Sequence, residues 1–156
     1  MKKFTLILIS GLISLYGFAQ NRSNNNGAEI SKIKEVTMAK TAYLKSVLDL
    51  TQKEADLFWP AYSKYLETRE LYTAKRRSCI TGFNNYMDGR NKTMNERGVK
   101  TLLDLFSFYD EAIVKLDKSF YLEIQKILPI KKQVAFYKAE EDFRVKLLQQ
   151  LKNSKP

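Results

Sequence analysis

Residues 50–65, LTQKEADLFWPAYSKY, combine the start of a helix with residues that are unusual inside one. Thr51 and Glu54 have the spacing of a capping box, in which the threonine caps the first backbone amides and the glutamate reaches back. Pro60 lies too deep for the first turn, so it removes the hydrogen bond to the carbonyl of Asp56. Apolar residues continue in phase on both sides of Pro60, so we expect a kink and not a break.

Outward from this stretch, the chain has the composition and apolar periodicity of an all-α protein. Thr93 and Glu96 form a second candidate capping box, and Pro129 can end one helix and occupy the first position of the next. Glycine, asparagine and Asp88–Gly89 mark residues 80–93 as a turn region. The predicted helices span about residues 29–48, 51 to 80 or beyond, 93–128 and 129–152, within one domain of residues 29–152.

The opening stretch is repeated 78 residues later, with the common pattern Leu-x7-Phe-aromatic-x-Ala-x3-aromatic. A spaced match of this kind indicates a structural repeat. Each copy would be a helix start preceded by a buried leucine and followed by inward-facing aromatic residues, giving two similar helical hairpins. Tyr62 would join the inward residues of the first copy. The matched pairs are Leu50 with Leu128, Phe58 with Phe136, Trp59 with Tyr137, Ala61 with Ala139, and Tyr65 with Phe143.

These two segments resemble the Spy/CpxP-related periplasmic proteins, the LTxxQ group, in a divergent form similar to exported proteins of Bacteroidetes-like bacteria. The family motif Leu-Thr-x-x-Gln occurs twice. The first copy here begins Leu50-Thr51 and has Glu54 where glutamine is usual, and the second keeps only Leu128, which is followed by Pro129. The order of elements across most of the mature chain is similar as well.

The resemblance implies a fold of four long, mostly antiparallel helices, elongated or cradle-like, which is often a dimer. It also implies a role in envelope stress, as an ATP-independent chaperone or as an accessory to a stress sensor.

The first residues predict export. MKK is a basic start, FTLILISGLISLYGF is an apolar core, and the small residues before Gln20 form a cleavage site, so residues 1–19 read as a signal peptide. We expect cleavage after Ala19, a periplasmic location, and no integral membrane segment in the mature chain. Residues 20–28 are polar and are predicted to form a disordered leader, and residues 153–156 a frayed tail.

The charge balance is basic, with 27 Lys and Arg against 17 Asp and Glu. Removal of Lys2 and Lys3 with the signal peptide leaves 25 − 17 = +8 for the mature part. Export argues against nucleic acid as the partner, whereas anionic surfaces or acidic protein segments fit the compartment. The alternative is that lysine and glutamate simply solvate helix faces.

The residues that usually carry chemistry are scarce. The chain has no histidine and one cysteine, Cys79, so histidine-based catalysis and an internal disulfide are both excluded. Cys79 is either a small apolar residue on a helix face, a free thiol, or a link between chains. The scattered methionines Met38, Met87 and Met94 supply no shell of metal ligands. We predict no enzyme, no catalytic residue, no cofactor and no metal site.

Aromatic residues are more numerous than one stripe per helix can easily bury, which favours a surface for a dimer or for a client protein. Each of them can alternatively be ordinary core. The first hypothesis is a chaperone or stress accessory that binds non-native or partner proteins, the second a signalling protein docking on an exported sensor domain, and the third a metal-binding sensor. The candidate partner-binding residues are Lys75, Arg76, Arg77, Arg97, Lys100, Phe106, Phe108 and Tyr109.

Overall fold

The computed structural model of the protein describes residues 25–90 and 93–153, and these contain four α-helices and no strand. In chain order the helices are α1 (Asn25–Val47), α2 (Gln52–Met87), α3 (Glu96–Ile127) and α4 (Ile130–Asn153). The all-α prediction with four long helices is therefore confirmed. The predicted signal peptide, the first five residues of the predicted leader and all but Asn153 of the predicted tail lie outside the described residues.

Two helix ends differ from the sequence prediction. Helix α1 begins at Asn25 and not near residue 29, so residues 25–28 are helical instead of belonging to a disordered leader. Asparagine and glycine are tolerated there, because the first amides of a helix have no intrahelical partner to lose. Helix α2 runs on to Met87, so the turn between α2 and α3 is shorter than predicted.

Capping explains where α2 and α3 begin. The capping box of α2 is confirmed: the amide of Glu54 donates to Thr51 Oγ1 at 3.3 Å, and the Thr51 amide donates to Glu54 Oε2 at 2.7 Å. The predicted box at Thr93 is wrong. Asn95 caps α3 instead, with its Oδ1 accepting from the amide of Gly98 at 3.0 Å. Asparagine is at least as good an N-cap as threonine, and this choice puts Glu96 in the first turn, where a negative charge is favoured.

Helix α2 ends in a Schellman motif. Gly89 adopts φ of 64°, its amide donates to the Tyr86 carbonyl at 3.1 Å, and the Arg90 amide donates to the Asn85 carbonyl at 2.9 Å. The predicted turn at residues 88–89 is thus present, because glycine reaches positive φ without a steric penalty. Inside α2 the helix continues through Pro60 without a break, and the kink expected there stays a prediction.

The helices form two compact units, one of Leu50–Ile130 and the other of the remaining terminal segments. In the first unit, α2 and α3 form an antiparallel hairpin, since Arg69 pairs with Asp117 while the later Arg76 pairs with the earlier Asp110. In the second unit, α1 and α4 pair although they are the first and last helices. Their contacts include an ion pair of 2.9 Å between Lys40 and Glu140.

The internal repeat is visible in each unit separately. Helices α2 and α4 both begin two residues after the repeated leucine, Leu50 or Leu128. Phe58 and Phe136 are 0% and 1% exposed, as predicted for the inward aromatic position. Each ring meets the next aromatic residue of its own helix edge-on, at 5.0 Å in α2 and 5.1 Å in α4.

Three members of the repeat, Leu50, Trp59 and Tyr137, are less buried than the predicted inward orientation requires. Leu50 is half-buried, whereas Leu128 is buried as expected. Tyr137 is 42% exposed, because one residue turns a helix by about 100° away from Phe136. Its counterpart Trp59 is half-buried for the same reason.

Candidate functional site

The end of the α2–α3 hairpin away from the turn holds an aromatic cluster built from both helices. The rings of Tyr65 and Phe120 stack with centroids 4.2 Å apart, and Tyr62 lies 5.9 Å from Phe120. Phe58 stacks on Tyr62 at 5.6 Å. Phe58, Tyr62 and Phe120 are buried, so these residues bind the two helices together and are not available to a partner.

Beside the aromatic cluster, two ion pairs cross from α2 to α3. Arg69 Nε lies 3.1 Å from Asp117 Oδ1, which also accepts a hydrogen bond of 2.8 Å from the Tyr65 hydroxyl. Arg76 pairs with Asp110 through its Nε. The arginines are seven residues apart and so are the aspartates, which is one heptad, or two helical turns, along one face of a coiled coil. The sequence prediction did not include these two ion pairs, although the equal spacing of the arginines and of the aspartates could have indicated them.

Two of the candidate partner-binding residues, both half-buried, make contacts between the same two helices. The guanidinium carbon of Arg76 lies 4.4 Å from the centroid of the Phe106 ring, a cation–π arrangement. The Phe106 ring in turn lies 5.7 Å from that of Phe83 across the hairpin. Arg76 and Phe106 therefore contact residues of the opposite helix while staying only half-buried, and their assignment as partner-binding residues stays a prediction.

The other six candidates are distributed over the outside of the hairpin. Tyr109 is half-buried, with its ring 6.2 Å from Tyr72 and 5.2 Å from Phe108. Phe108 is 60% exposed. The four remaining candidates are basic and exposed, namely Lys75, Arg77, Arg97 and Lys100.

Phe108 lies on an open groove along the outer side of α3, with a volume of about 300 Å³. We call this the flank groove. Its floor is apolar, and Lys115 and Glu111 form a loose ion pair of 3.6 Å at its edge. Among the eight candidates, Phe108 is the residue that lines it. The lining residues are Tyr72, Phe108, Glu111, Ala112, Lys115, Leu116 and Ser119.

The positive charge lies mainly outside this hairpin. Residues 50–130 carry 13 Lys and Arg against 11 Asp and Glu, a net charge of +2. Residues 25–49 and 131–156 carry 11 against 6, a net charge of +5. The hairpin as a whole is therefore only weakly basic, because acidic residues of α3 offset the arginines and lysines of α2.

Helix α4 carries two exposed intrahelical ion pairs. Arg144 binds Glu141 through two hydrogen bonds, of 2.8 Å from Nε and 2.6 Å from Nη2. This hydrogen bonding lowers the pKa of Glu141 from its ordinary value and raises the pKa of Arg144. Lys138 donates to Asp142 at 2.6 Å, and this bond raises the pKa of Lys138.

Cys79 is buried, and its thiol donates a weak hydrogen bond of 3.4 Å to the carbonyl of Lys75. This environment matches the interpretation of Cys79 as a small apolar residue on a helix face. Within residues 25–90 and 93–153, no three His, Cys, Asp or Glu side chains come together as metal ligands. In that same part of the chain, none of the helices is both long and apolar enough to span a bilayer.

No protein-family model matches the chain, and neither a curated protein nor a solved structure does. The resemblance to the Spy/CpxP-related proteins therefore stays a prediction that rests on the two quoted segments.

Proposed function

We propose that the mature chain is an exported, ATP-independent protein that binds non-native or partner polypeptides, as a chaperone or an accessory in envelope stress. The observation that carries this proposal is the flank groove, where Phe108 is 60% exposed beside an apolar floor. An aromatic side chain so exposed next to a concave apolar surface is typical of a binding surface. Without a partner, such a surface promotes aggregation.

The groove suits weak and repeated capture better than tight binding. An apolar side chain of a client would cover Phe108 and contact Ala112 and Leu116, while Lys115 and Glu111 at the edge would offer one charge of each sign to the same segment. Burial of one apolar side chain contributes roughly 1.5–3 kcal/mol before the entropy of ordering is subtracted. A client with several exposed apolar residues would therefore bind loosely and leave without a nucleotide-driven step.

The contacts between α2 and α3 support client binding, because they keep the hairpin folded without using the Phe108 side of α3. The aromatic cluster and the two arginine–aspartate pairs join α2 to α3 on a different side of α3 from Phe108. A client can thus occupy the groove while the hairpin remains intact.

The test is suppression of aggregation by the purified mature protein, residues 20–156. Reduced α-lactalbumin serves as the acidic non-native client, and light scattering follows its aggregation. We expect suppression at several-fold molar excess, and we expect Phe108→Ser to require several times more protein for the same effect. Val114→Ser is the matched control, because Val114 is 66% exposed on the same helix but does not line the groove.

Failure of the natural protein to slow aggregation at any excess would refute the chaperone proposal. Equal loss of suppression in Phe108→Ser and Val114→Ser would refute the assignment to the flank groove. Circular dichroism at 222 nm verifies that both variants keep the helix content of the parent.

A second function is favoured by the small size of the groove. About 300 Å³ lies at the lower limit of ligand sites and accommodates one or two side chains, which suits docking on a single exported sensor domain. A pull-down from a periplasmic extract would then give one partner in stoichiometric amount, and Phe108→Ser would abolish its recovery. Recovery of many unrelated proteins would contradict this second function.

A further inference from the structure

An exposed, mainly apolar stripe runs along α4 on a different side from the residues that α4 buries. Phe136 and Ala139 are buried, whereas Val134 is 60% exposed and Leu148 is 47% exposed. Residues three and four apart along a helix lie on one face, so these exposed residues form a continuous stripe of about 21 Å at 1.5 Å per residue. We call it the outer stripe. Its members, in order, are Val134, Tyr137, Glu141, Val145 and Leu148.

Basic side chains border the outer stripe on both sides. A helix turns by about 100° per residue, which places Lys131 and Lys138 along one edge of the stripe and Arg144 along the other. Lys152 continues the stripe one turn beyond Leu148. All four bases are exposed. An apolar stripe with a basic border is the pattern of a helix that lies in the plane of an anionic membrane surface.

The acids of α4 do not cancel this basic character, because each of them binds a base. Helix α4 carries 6 Lys and Arg against 3 Asp and Glu, a net charge of 6 − 3 = +3. The three acids are consecutive in the sequence, so bases predominate toward both ends of the helix. The ion pairs are Lys40–Glu140 at 2.9 Å, Arg144–Glu141 at 2.6 Å and Lys138–Asp142 at 2.6 Å.

We propose that α4 is a peripheral membrane-binding surface, whose outer stripe enters the headgroup region of an anionic phospholipid bilayer while the bordering bases bind lipid phosphates. This proposal does not rest on the function proposed for the flank groove, which is lined by residues of α2 and α3.

The distribution of the bases favours a bilayer over an acidic protein segment as the occupant. Lys131 and Lys152 are separated by about 30 Å along the helix, at 1.5 Å per residue. A bilayer offers phosphates along that whole length, and the long lysine side chains can extend from the edges of an apolar stripe to reach them. Tyr137 within the stripe belongs to the residues that are enriched where apolar and polar layers of a membrane meet.

Glu141 in the middle of the outer stripe limits how deeply α4 can enter the bilayer. Its carboxylate accepts two hydrogen bonds from Arg144, of 2.8 Å and 2.6 Å, and this hydrogen bonding lowers the pKa of Glu141. The pair therefore enters the membrane surface as two mutually neutralised charges. Charged side chains are costly in the hydrocarbon core, so the pair restricts the stripe to the polar headgroup layer.

The first experiment measures co-sedimentation of the mature protein with phosphatidylglycerol-rich vesicles and with phosphatidylcholine vesicles. We expect binding to the anionic vesicles that weakens at high salt, and little binding to the neutral ones. Leu148→Ser should weaken binding roughly tenfold by removing apolar burial. Lys152→Gln should weaken it about fivefold, the effect of one base near an anionic surface.

Leu122→Ser is the matched control for the first experiment. Leu122 is a leucine of the same exposure as Leu148, 47%, but it lies on α3, so its replacement should leave binding unchanged. A parent that does not bind anionic vesicles, or equal weakening by Leu148→Ser and Leu122→Ser, would overturn the proposal.

The second experiment tests whether the stripe enters the headgroup layer. In Tyr137→Trp, we expect the fluorescence of the new indole to be quenched by lipids brominated near the glycerol, and less by lipids brominated near the end of the acyl chain. The parent should show little quenching, because its one tryptophan, Trp59, lies on α2. Absence of quenching in Tyr137→Trp by either lipid would show adsorption by charge alone and refute entry of the stripe.

The third experiment examines the charged pair and the competing occupant. Glu141→Gln frees Arg144 for a lipid phosphate and should tighten vesicle binding several-fold, whereas Arg144→Gln leaves an acid in the stripe and should weaken it several-fold. Changes of the same sign would contradict the role given to the pair. Binding of the parent to poly-glutamate but not to vesicles, with loss of that binding in Leu148→Ser, would identify an acidic protein segment as the occupant and refute the membrane proposal.

Discussion

Replacement of Phe58 by alanine tests whether the inward aromatic residue of the repeat holds the hairpin together. The side chain is fully buried, and its ring has the rings of Trp59, Tyr62 and Phe120 within 6.5 Å. Removal of a buried phenylalanine side chain costs about 3–5 kcal/mol, through lost transfer free energy and the cavity left behind. Small domains unfold with roughly 5–15 kcal/mol, so a large part of the stability would be lost.

Two companion variants divide that loss into its causes. Phe58→Leu keeps most of the apolar volume but loses the ring contacts, which contribute about 0.5–1.5 kcal/mol per pair, so we expect a loss of about 1–2 kcal/mol. Leu57→Ala is the positional control, because Leu57 is 53% exposed and its loss should stay near 0.5 kcal/mol.

The assay is urea unfolding of the mature protein, followed by circular dichroism at 222 nm, with the free energy taken from the midpoint and slope. A loss below about 1.5 kcal/mol for Phe58→Ala, or an equal loss for Leu57→Ala, would show that Phe58 is not an anchor of the hairpin.

Three further predictions concern local features. Thr51→Ala removes the cap of α2 and should lower the free energy of unfolding by about 1 kcal/mol in the same urea titration, whereas Thr51→Ser should be near neutral. Gly82→Ala should be close to neutral in the natural chain, because its gain in helix propensity would be offset by the close approach of the new Cβ to Leu102 Cδ1, at 2.6 Å. In a Leu102→Ala background the same change should stabilise the protein by about 1 kcal/mol, the helix-propensity gain, and equal effects in both backgrounds would exclude the contact. The pKa of Glu141 is depressed below its ordinary 4.5, so its contribution to stability is present above that pH and is lost as the pH falls through the depressed value. The thermal midpoint of the natural chain should therefore exceed that of Glu141→Gln slightly at pH 7 and match it near pH 2, and a larger gap at low pH would contradict this sign.

The parts of the fold that sequence predicts are the local ones. The capping box of Thr51 needs residues three apart, and the turn at Gly89 needs one glycine after a helix, so neither depends on the rest of the chain. The burial of Phe58 and Phe136 follows from apolar periodicity within one helix. The first residue of α3 is harder to predict, because Thr93 and Asn95 can both cap a helix and sequence chemistry alone does not distinguish them.

The candidate site shows where such reasoning stops. Arg76 looked like part of a free basic cluster because Lys75 and Arg77 adjoin it in sequence. Its partner Asp110 lies 34 residues away on another helix, so the ion pair can be recognised only once the register of α2 against α3 is known. The contacts of Phe106 with Arg76 and Phe83 could not be foreseen for the same reason, since they also cross the hairpin.

Register connects the interior of the hairpin to the flank groove. Tyr72 is the residue of α2 that lines the groove, and it stands between Arg69 and Arg76, the two arginines paired across to α3. A slip of one heptad would move Tyr72 along α3 by about 10 Å, at 1.5 Å per residue, and would open the groove at that side. It would also leave one arginine and one aspartate of the two pairs without a partner, at a modest cost because these side chains are 34–48% exposed. Arg76, one of the predicted partner-binding residues, would thus affect binding indirectly, by helping to hold Tyr72 beside the residues of α3 that a client would contact.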